Sequence, residues 1–226
     1  MNWSSLADWW RRELASDHAY ELEVTPLLLE VLDPAPGRLY LDLGCGEGRV
    51  MRHVARSGAS VHGLDINIEL ASQAGSAFVA RLPDIPVSVA SYDGVYSVLS
   101  LEHVPDHHRF FGEAARVTRL GGVMAVVTNH PTWTAPDSTP ITDSDGEVLW
   151  RPGNYFSTGK TEVPAGEGGV TFHHRTMADL LTSAAAAGWR LERMVERPHH
   201  DLHDQAGIPR LLACRWSLAA AVEGSR

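Results

Sequence analysis

Short apolar runs alternate with helical patterns through the middle of this chain. The run from Leu39 to Leu43 meets three glycines, and Val50, Met51 and Val54 then follow at helical spacing as far as Gly58. A second strand is predicted from Ser60 to Leu64, ending at Asp65, and a helix from Ile68 to Phe78. A short strand near Val87 to Ala90 precedes a clearer one from Gly94 to Val98. Pro105 and Asp106 open a helix carrying Phe110, Ala114 and Val117 on one face; Gly121-Gly122 ends it, and Val123 to Thr128 reads as a further strand. Unbroken apolar runs suit buried strands, whereas a period of three to four suits helices. Strands that alternate with helices predict a parallel sheet with right-handed crossovers.

The flanks carry other signals. Trp3, Leu6, Trp10 and Leu14 predict an amphipathic first helix, and Asp17 starts a short segment carrying Tyr20. Thr25-Pro26 is an N-cap and N1 pair ahead of Leu27, Leu28 and Leu29, so residues 1–37 read as a helical cap. Residues 129–175 break the rhythm with Pro, Gly, Ser, Thr and Asp, and Asp145-Gly146 suits a hairpin turn. An insertion of that length inside a compact domain suits a lid or substrate loop. Thr176-Met177-Ala178-Asp179 is a capping-box pattern, its helix ends at Gly188, and two last strands follow, Trp189 to Arg197 and Leu211 to Leu218. At 226 residues the expectation is one domain.

Composition narrows the function classes. A net charge of −9 disfavours nonspecific binding to nucleic acid or anionic membrane. Two cysteines, Cys45 and Cys214, make neither a disulfide framework nor a zinc motif. With no apolar run of membrane length and no secretory pattern, a cytoplasmic protein is expected.

The glycine turn, Leu41-Asp42-Leu43-Gly44-Cys45-Gly46-Glu47-Gly48-Arg49, is the most informative stretch. Glycines let backbone pass close to a ligand, and the following helix opens with unpaired N–H groups. Asp42 and Glu47 flank the turn and would draw a cationic ligand rather than a phosphate. A dinucleotide fingerprint needs a third glycine where Arg49 stands, and no Walker lysine is present. Asp65, about 20 residues further on, suits both hydroxyls of a ribose.

This turn resembles motif I of the class I S-adenosylmethionine-dependent methyltransferases. Tyr92 to Val104 resembles that family's fourth strand and following turn, Glu113 to Gly122 the helix and glycine pair before its fifth strand, and Phe172 to Thr176 a late element of small-molecule members. The resemblance implies a Rossmann-like α/β fold with a seven-stranded, mostly parallel sheet and an antiparallel last strand, and S-adenosylmethionine as cofactor. It implies further that Asp42, Gly44, Cys45 and Gly46 hold the methionine end, and that Asp65 takes the ribose with Ile66 on the adenine. Ala80, Arg81 and Leu82 would line the adenine edge, and Val98 and Leu99 would lie near the sulfonium. The family's adenine-binding Asp is missing, since Val79 and Ala80 stand there; either Asp84 substitutes through a shifted loop or backbone and apolar contacts hold the adenine.

His103, just past the fourth strand, is the first choice for a base, with Glu102 to orient or replace it; His130, past the fifth strand, is the second. Tyr20, Trp133, His173 and His174 are expected to wall the substrate pocket, with Trp150 beside them. No metal is expected: the His199–Asp204 stretch reads as a polar loop, and Asp143-Ser144-Asp145-Gly146 has Pro152 where a calcium loop needs Glu. The expected function is methyl transfer to a small-molecule acceptor, on a hydroxyl oxygen, without nucleic acid or membrane as partner. The alternatives are a tRNA or protein methyltransferase and a degenerate, partner-binding member of the fold. The N-terminal tryptophans suit either internal packing or a homodimer.

Overall fold

A computed structural model describes residues 6–16, 18–165, 168–198 and 207–219. Trp3, Asp17 and the His199–Asp204 stretch lie outside the described residues. Helix α1 (Ala7–Ser16) leads through a π-turn at Tyr20–Val24 into α2 (Thr25–Leu32). The alternating core then runs β1 (Leu39–Leu43), α3 (Arg49–Ala55), β2 (Ser60–Asp65), α4 (Ile68–Gln73), β3 (Ala77–Val79), β4 (Tyr92–Val98), α5 (His107–Val117) and β5 (Thr118–Asn129). A short helix, α6 (Pro131–Thr134), opens the 129–175 insertion. Two antiparallel hairpins fill the rest, β6 (Thr139–Thr142) with β7 (Val148–Arg151), and β8 (Lys160–Ala165) with β9 (Gly168–His173). Helix α7 (Met177–Ala186) returns the chain to β10 (Trp189–Arg197) and β11 (Leu211–Leu218).

The main sheet has seven strands in the order β10-β11-β5-β4-β1-β2-β3. Strand β11 runs antiparallel to both neighbours and the other six run parallel, as the resemblance implied. Strands β1 to β3 build outward on one side, and β4 then returns to pair with β1 on the other. The carboxyl ends of β1 and β4 thus flank the point where the strand order reverses, the place where open α/β sheets leave a ligand crevice. One sheet face packs Leu41, Leu43, Val95 and Met124 against Phe110 and Phe111 of α5 and Leu180 of α7. The other packs Tyr40, Tyr96, Val127 and Ala213 against Leu28 and Val31 of α2 and Val54 of α3. A small third cluster joins Leu6 and Trp9, at the start of the chain, to Ala165, Val170 and Phe172 of the β8–β9 hairpin.

Local signals hold at several places. Asp106 caps α5, accepting from the Arg109 N–H at 2.9 Å, and Thr176 with Asp179 forms the expected capping box on α7. Three boundaries differ. Helix α4 ends at Gln73, because Gly75 adopts φ +85° and releases Phe78 into edge strand β3. The stretch from Val87 to Ala90 is a turn: Arg116 donates to the carbonyls of Ile85 and Val87, both at 2.7 Å, so those groups are not offered to a neighbouring strand. Helix α5 stops at Val117, before the glycine pair, where the Thr118 hydroxyl bonds the Ala114 carbonyl at 2.7 Å. Strand β5 begins at once, and the glycine pair falls where its register against β4 shifts.

Asp93 fastens the edge of this core. Its carboxylate accepts from the Leu39 N–H at 2.8 Å and from Arg119 at 2.7 Å, with Arg38 at 3.5 Å. Burial pushes its pKa up, but those donors outweigh burial and hold it below the usual carboxylate value. A lowered folded pKa stabilises fully above the unfolded value and loses that contribution as pH falls through the folded one. Asp93→Asn is therefore expected to flatten the loss of stability below about pH 4, measured by urea unfolding across pH. Phe111, fully buried, gives the reference for core packing: Phe111→Ala should cost about 3–5 kcal/mol in the same assay.

Candidate active site

The loops after β1 and β4 touch. Gly44 sits at φ +93°, and a Cβ there would stand 2.3 Å from the Ser100 hydroxyl oxygen, so no other residue fits without moving the loop. The N–H groups of Gly44 and Cys45 donate to the Leu64 carbonyl at 2.8 and 3.0 Å, which anchors the turn on β2. Asp65, at the end of β2, accepts from the N–H groups of Gly46 and Asn67, both at 2.8 Å. Its carboxylate is thereby fixed in orientation at the rim of a cavity of about 180 Å³.

That cavity gathers most of the residues expected from the sequence. Asp42, Gly44, Cys45 and Gly46 line it, with Asp65, Ile66, Ala80, Arg81, Leu82, Val98, Leu99, Tyr20 and His103. It also takes in Glu47, expected to draw a cationic ligand, and residues given no site role from the sequence, among them Trp10 from α1, Arg49 from the turn, and Ser100, Val104 and Pro105 after β4. Trp10 carried only a helical-spacing signal. The polar residues of the β1 and β4 turns had a stronger one, because they follow the two strands at the crevice.

His103 sits on a 3₁₀ turn at Leu101–His103. Its Nδ1 lies 2.9 Å from the Thr171 carbonyl oxygen of β9, and the Phe172 ring packs against the imidazole at 4.7 Å. A carbonyl oxygen only accepts, so Nδ1 carries the hydrogen and the neutral ring holds its lone pair on Nε2.

The other candidates lie elsewhere. Glu102 is buried on the far side of the 3₁₀ turn and accepts from the Thr128 hydroxyl at 2.9 Å and the Asn129 amide at 2.6 Å, so its carboxylate is committed to β5 rather than to His103. His130 is buried between Glu196, at 2.8 Å, and Thr132. Burial lowers its pKa, with Glu196 opposing. His174 bridges the Thr134 hydroxyl and the Tyr155 carbonyl. His173 faces a separate water-sized gap beside Glu102 and Arg175. Trp133 stacks on Trp150 at 4.3 Å with the Arg210 guanidinium over its ring. Asp84 pairs with Arg109 and does not line the cavity. Among the described residues no group of three or more His, Cys, Asp or Glu side chains could hold a metal ion, and no helix is long and apolar enough to cross a membrane.

A family model described as a methyltransferase domain matches residues 41–126, the span from the glycine turn through β5. The chain is 37% identical over 129 residues to the ubiquinone biosynthesis O-methyltransferase of Paracidovorax citrulli, covering 50% of this chain and 53% of that protein. A solved S-adenosylmethionine-dependent methyltransferase from Mesorhizobium loti superposes with a TM-score of 0.76 at 25% identity, covering 90% of this chain and 99% of that one. Residues 41–126 of this chain match the methyltransferase-domain family, and its fold is that of the S-adenosylmethionine-dependent methyltransferases. The O-methyltransferase cnsE of Penicillium expansum is 31% identical over 137 residues, 54% of this chain and 48% of that protein. The chain thus spans about half the length of the curated relatives it matches.

The family's cofactor carries positive charge at its sulfonium and ammonium groups, and the cavity is acidic to match. Asp42, Glu47 and Asp65 all line it. Burial pushes the Asp42 pKa well up, with Asp65 and Glu47 adding like-charge repulsion against the neighbouring Tyr96 hydroxyl. Burial also raises Asp65, partly offset by the Asn67 and Gly46 amides. This charge around the cavity suits a cationic group and disfavours a phosphate.

A carboxylate whose folded pKa is raised costs stability that sets in as pH rises through the unfolded value and is present in full above the folded one. Asp42→Asn should therefore raise the thermal midpoint of the ligand-free protein at pH 7, by about 2–4 °C for each kcal/mol relieved. Differential scanning calorimetry reads it, and a lowered midpoint would contradict the electrostatic account.

Proposed function

We propose that this chain transfers the methyl group of S-adenosylmethionine to a small-molecule acceptor, on a hydroxyl oxygen, in the cytoplasm. The observation that carries the reading is His103, held as its Nδ1–H tautomer beside the same cavity that presents the acidic cradle. When bound, S-adenosylmethionine supplies a methyl group already activated by a positively charged sulfur. The protein's part is then alignment and proton removal. Asp65 would hold the ribose hydroxyls, and Asp42 and Glu47 the cationic end. Nε2 of His103 would take the hydroxyl proton of the acceptor. Helix α1 with the preceding Leu6 and the β8–β9 hairpin, which pack on one another through Leu6, Trp9, Val170 and Phe172, would act as a lid that keeps water out.

A small acceptor is favoured over RNA because three of the basic residues in and around the cavity already have acidic or carbonyl partners. Arg49 pairs with Glu47, Arg11 with Asp8 and Glu69, and Arg52 donates to the Glu47 carbonyl at 2.8 Å. The O-methyltransferase names of two relatives agree with an oxygen acceptor.

Titration calorimetry with S-adenosylhomocysteine, with NADH as the control ligand, tests the cofactor half. Micromolar binding is expected, and Asp65→Ala should weaken it by about 10- to 100-fold, the worth of hydrogen bonds to a charged group. A folded protein that binds neither ligand would overturn the enzyme reading in favour of a partner-binding role. Once a screen of small hydroxylated compounds supplies an acceptor, His103→Ala should lower kcat by about 10²–10⁴-fold while leaving S-adenosylhomocysteine affinity unchanged. A kcat within the wild-type range would remove His103 as the base.

A further inference from the structure

Arg175 is buried, yet no carboxylate among the described residues forms an ion pair with it. Its Nη1 donates to the Leu101 carbonyl at 2.9 Å, and its Nη2 donates to the carbonyls of Val104 and, at 3.2 Å, Pro105. Those three carbonyls bracket His103 on both sides in the chain. Burial pulls the Arg175 pKa down to about 10, with Glu102 and Asp106 acting the other way from a distance. A guanidinium is always charged at working pH and presents five donors in a rigid fork, so here it ties down a loop rather than neutralising an acid. Removing it would leave buried carbonyls without partners.

Arg175 lies two residues beyond the end of β9, whose Thr171 carbonyl receives the His103 Nδ1–H. Four hydrogen bonds therefore cross from residues 171–175 to residues 101–105, one of them made by the imidazole itself. The bond from His103 to a strand of a two-stranded hairpin fixes a tautomer only if loop and hairpin keep their spacing.

We propose that Arg175 is a positioning residue for His103: by holding the Leu101–Pro105 loop against the end of β9, it fixes the imidazole as the Nδ1–H tautomer with its basic nitrogen on Nε2. The proposal rests on the reading of His103 as the base, but its geometry can be tested without an acceptor. In the wild-type protein, ¹⁵N-histidine NMR above the titration range should show His103 as one tautomer, protonated on Nδ1. In Arg175→Met the same signal should become a mixture of tautomers, while S-adenosylhomocysteine affinity stays at the wild-type value because the β1 and β2 side of the cavity is untouched. Arg175→Lys, which keeps the charge and can reach one carbonyl, should restore most of the Nδ1–H form. A folded Arg175→Met that keeps the single wild-type tautomer overturns the proposal, as does loss of S-adenosylhomocysteine binding in step with the tautomer, which would make Arg175 a general structural residue. If Arg175→Met does not fold, Arg175→Lys decides, a minor second tautomer supporting the proposal and an unchanged spectrum overturning it. If the wild-type protein fails to bind S-adenosylhomocysteine, the functional reading falls separately, and the tautomer comparison still judges Arg175.

Discussion

The site exists because two loops meet with room for a hydrogen atom and nothing more. The sheet reverses its strand order between β1 and β4, so the chain leaves both strands at the same edge and in the same direction. Gly44 after β1 then faces Ser100 after β4 at a distance no Cβ tolerates. That contact sets the depth of the crevice. It aims the amides of the turn at β2 and brings Asp42, Glu47 and Asp65 around one small volume. A larger residue at 44 would push the β4 loop outward and carry His103 with it.

Concentrating carboxylates in this way works against the folded chain. Burial and mutual repulsion both disfavour the ionised forms of Asp42 and Asp65. The surrounding structure offsets the cost through the Gly46 and Asn67 amides on Asp65 and through the apolar layers on the two faces of the sheet. Strain concentrated at a binding site and compensated elsewhere is the usual relation between stability and function in proteins.

What could be read along the chain was what local chemistry fixes. The glycine turn, Asp65, the cap of α5, the capping box of α7 and the last two strands each announce themselves within a few residues. The seven-stranded sheet followed from the family resemblance that these signals carry. Strand β3 was hidden, since three residues at an edge carry too little pattern to outvote the helix before them. The apolar stretch at Val87 misled for a tertiary reason, because an arginine nearly thirty residues away captures its carbonyls. The histidines show the same divide. His103 could be placed from its position after β4, but whether Glu102, His130, His173 and His174 faced the cavity depended on side-chain direction and on partners far along the sequence. Trp10 joined the site only through the folding back of the N-terminal helix.

Phe172 belongs to two neighbourhoods at once. One side of its ring meets His103, and the other lies with Leu6 and Trp9 under the start of the chain. If α1 lifts away for ligand exchange, as the proposed lid would require, the ring that abuts the imidazole loses its support. Opening the crevice and loosening the imidazole would then be one movement, leaving the histidine least organised whenever solvent fills the site.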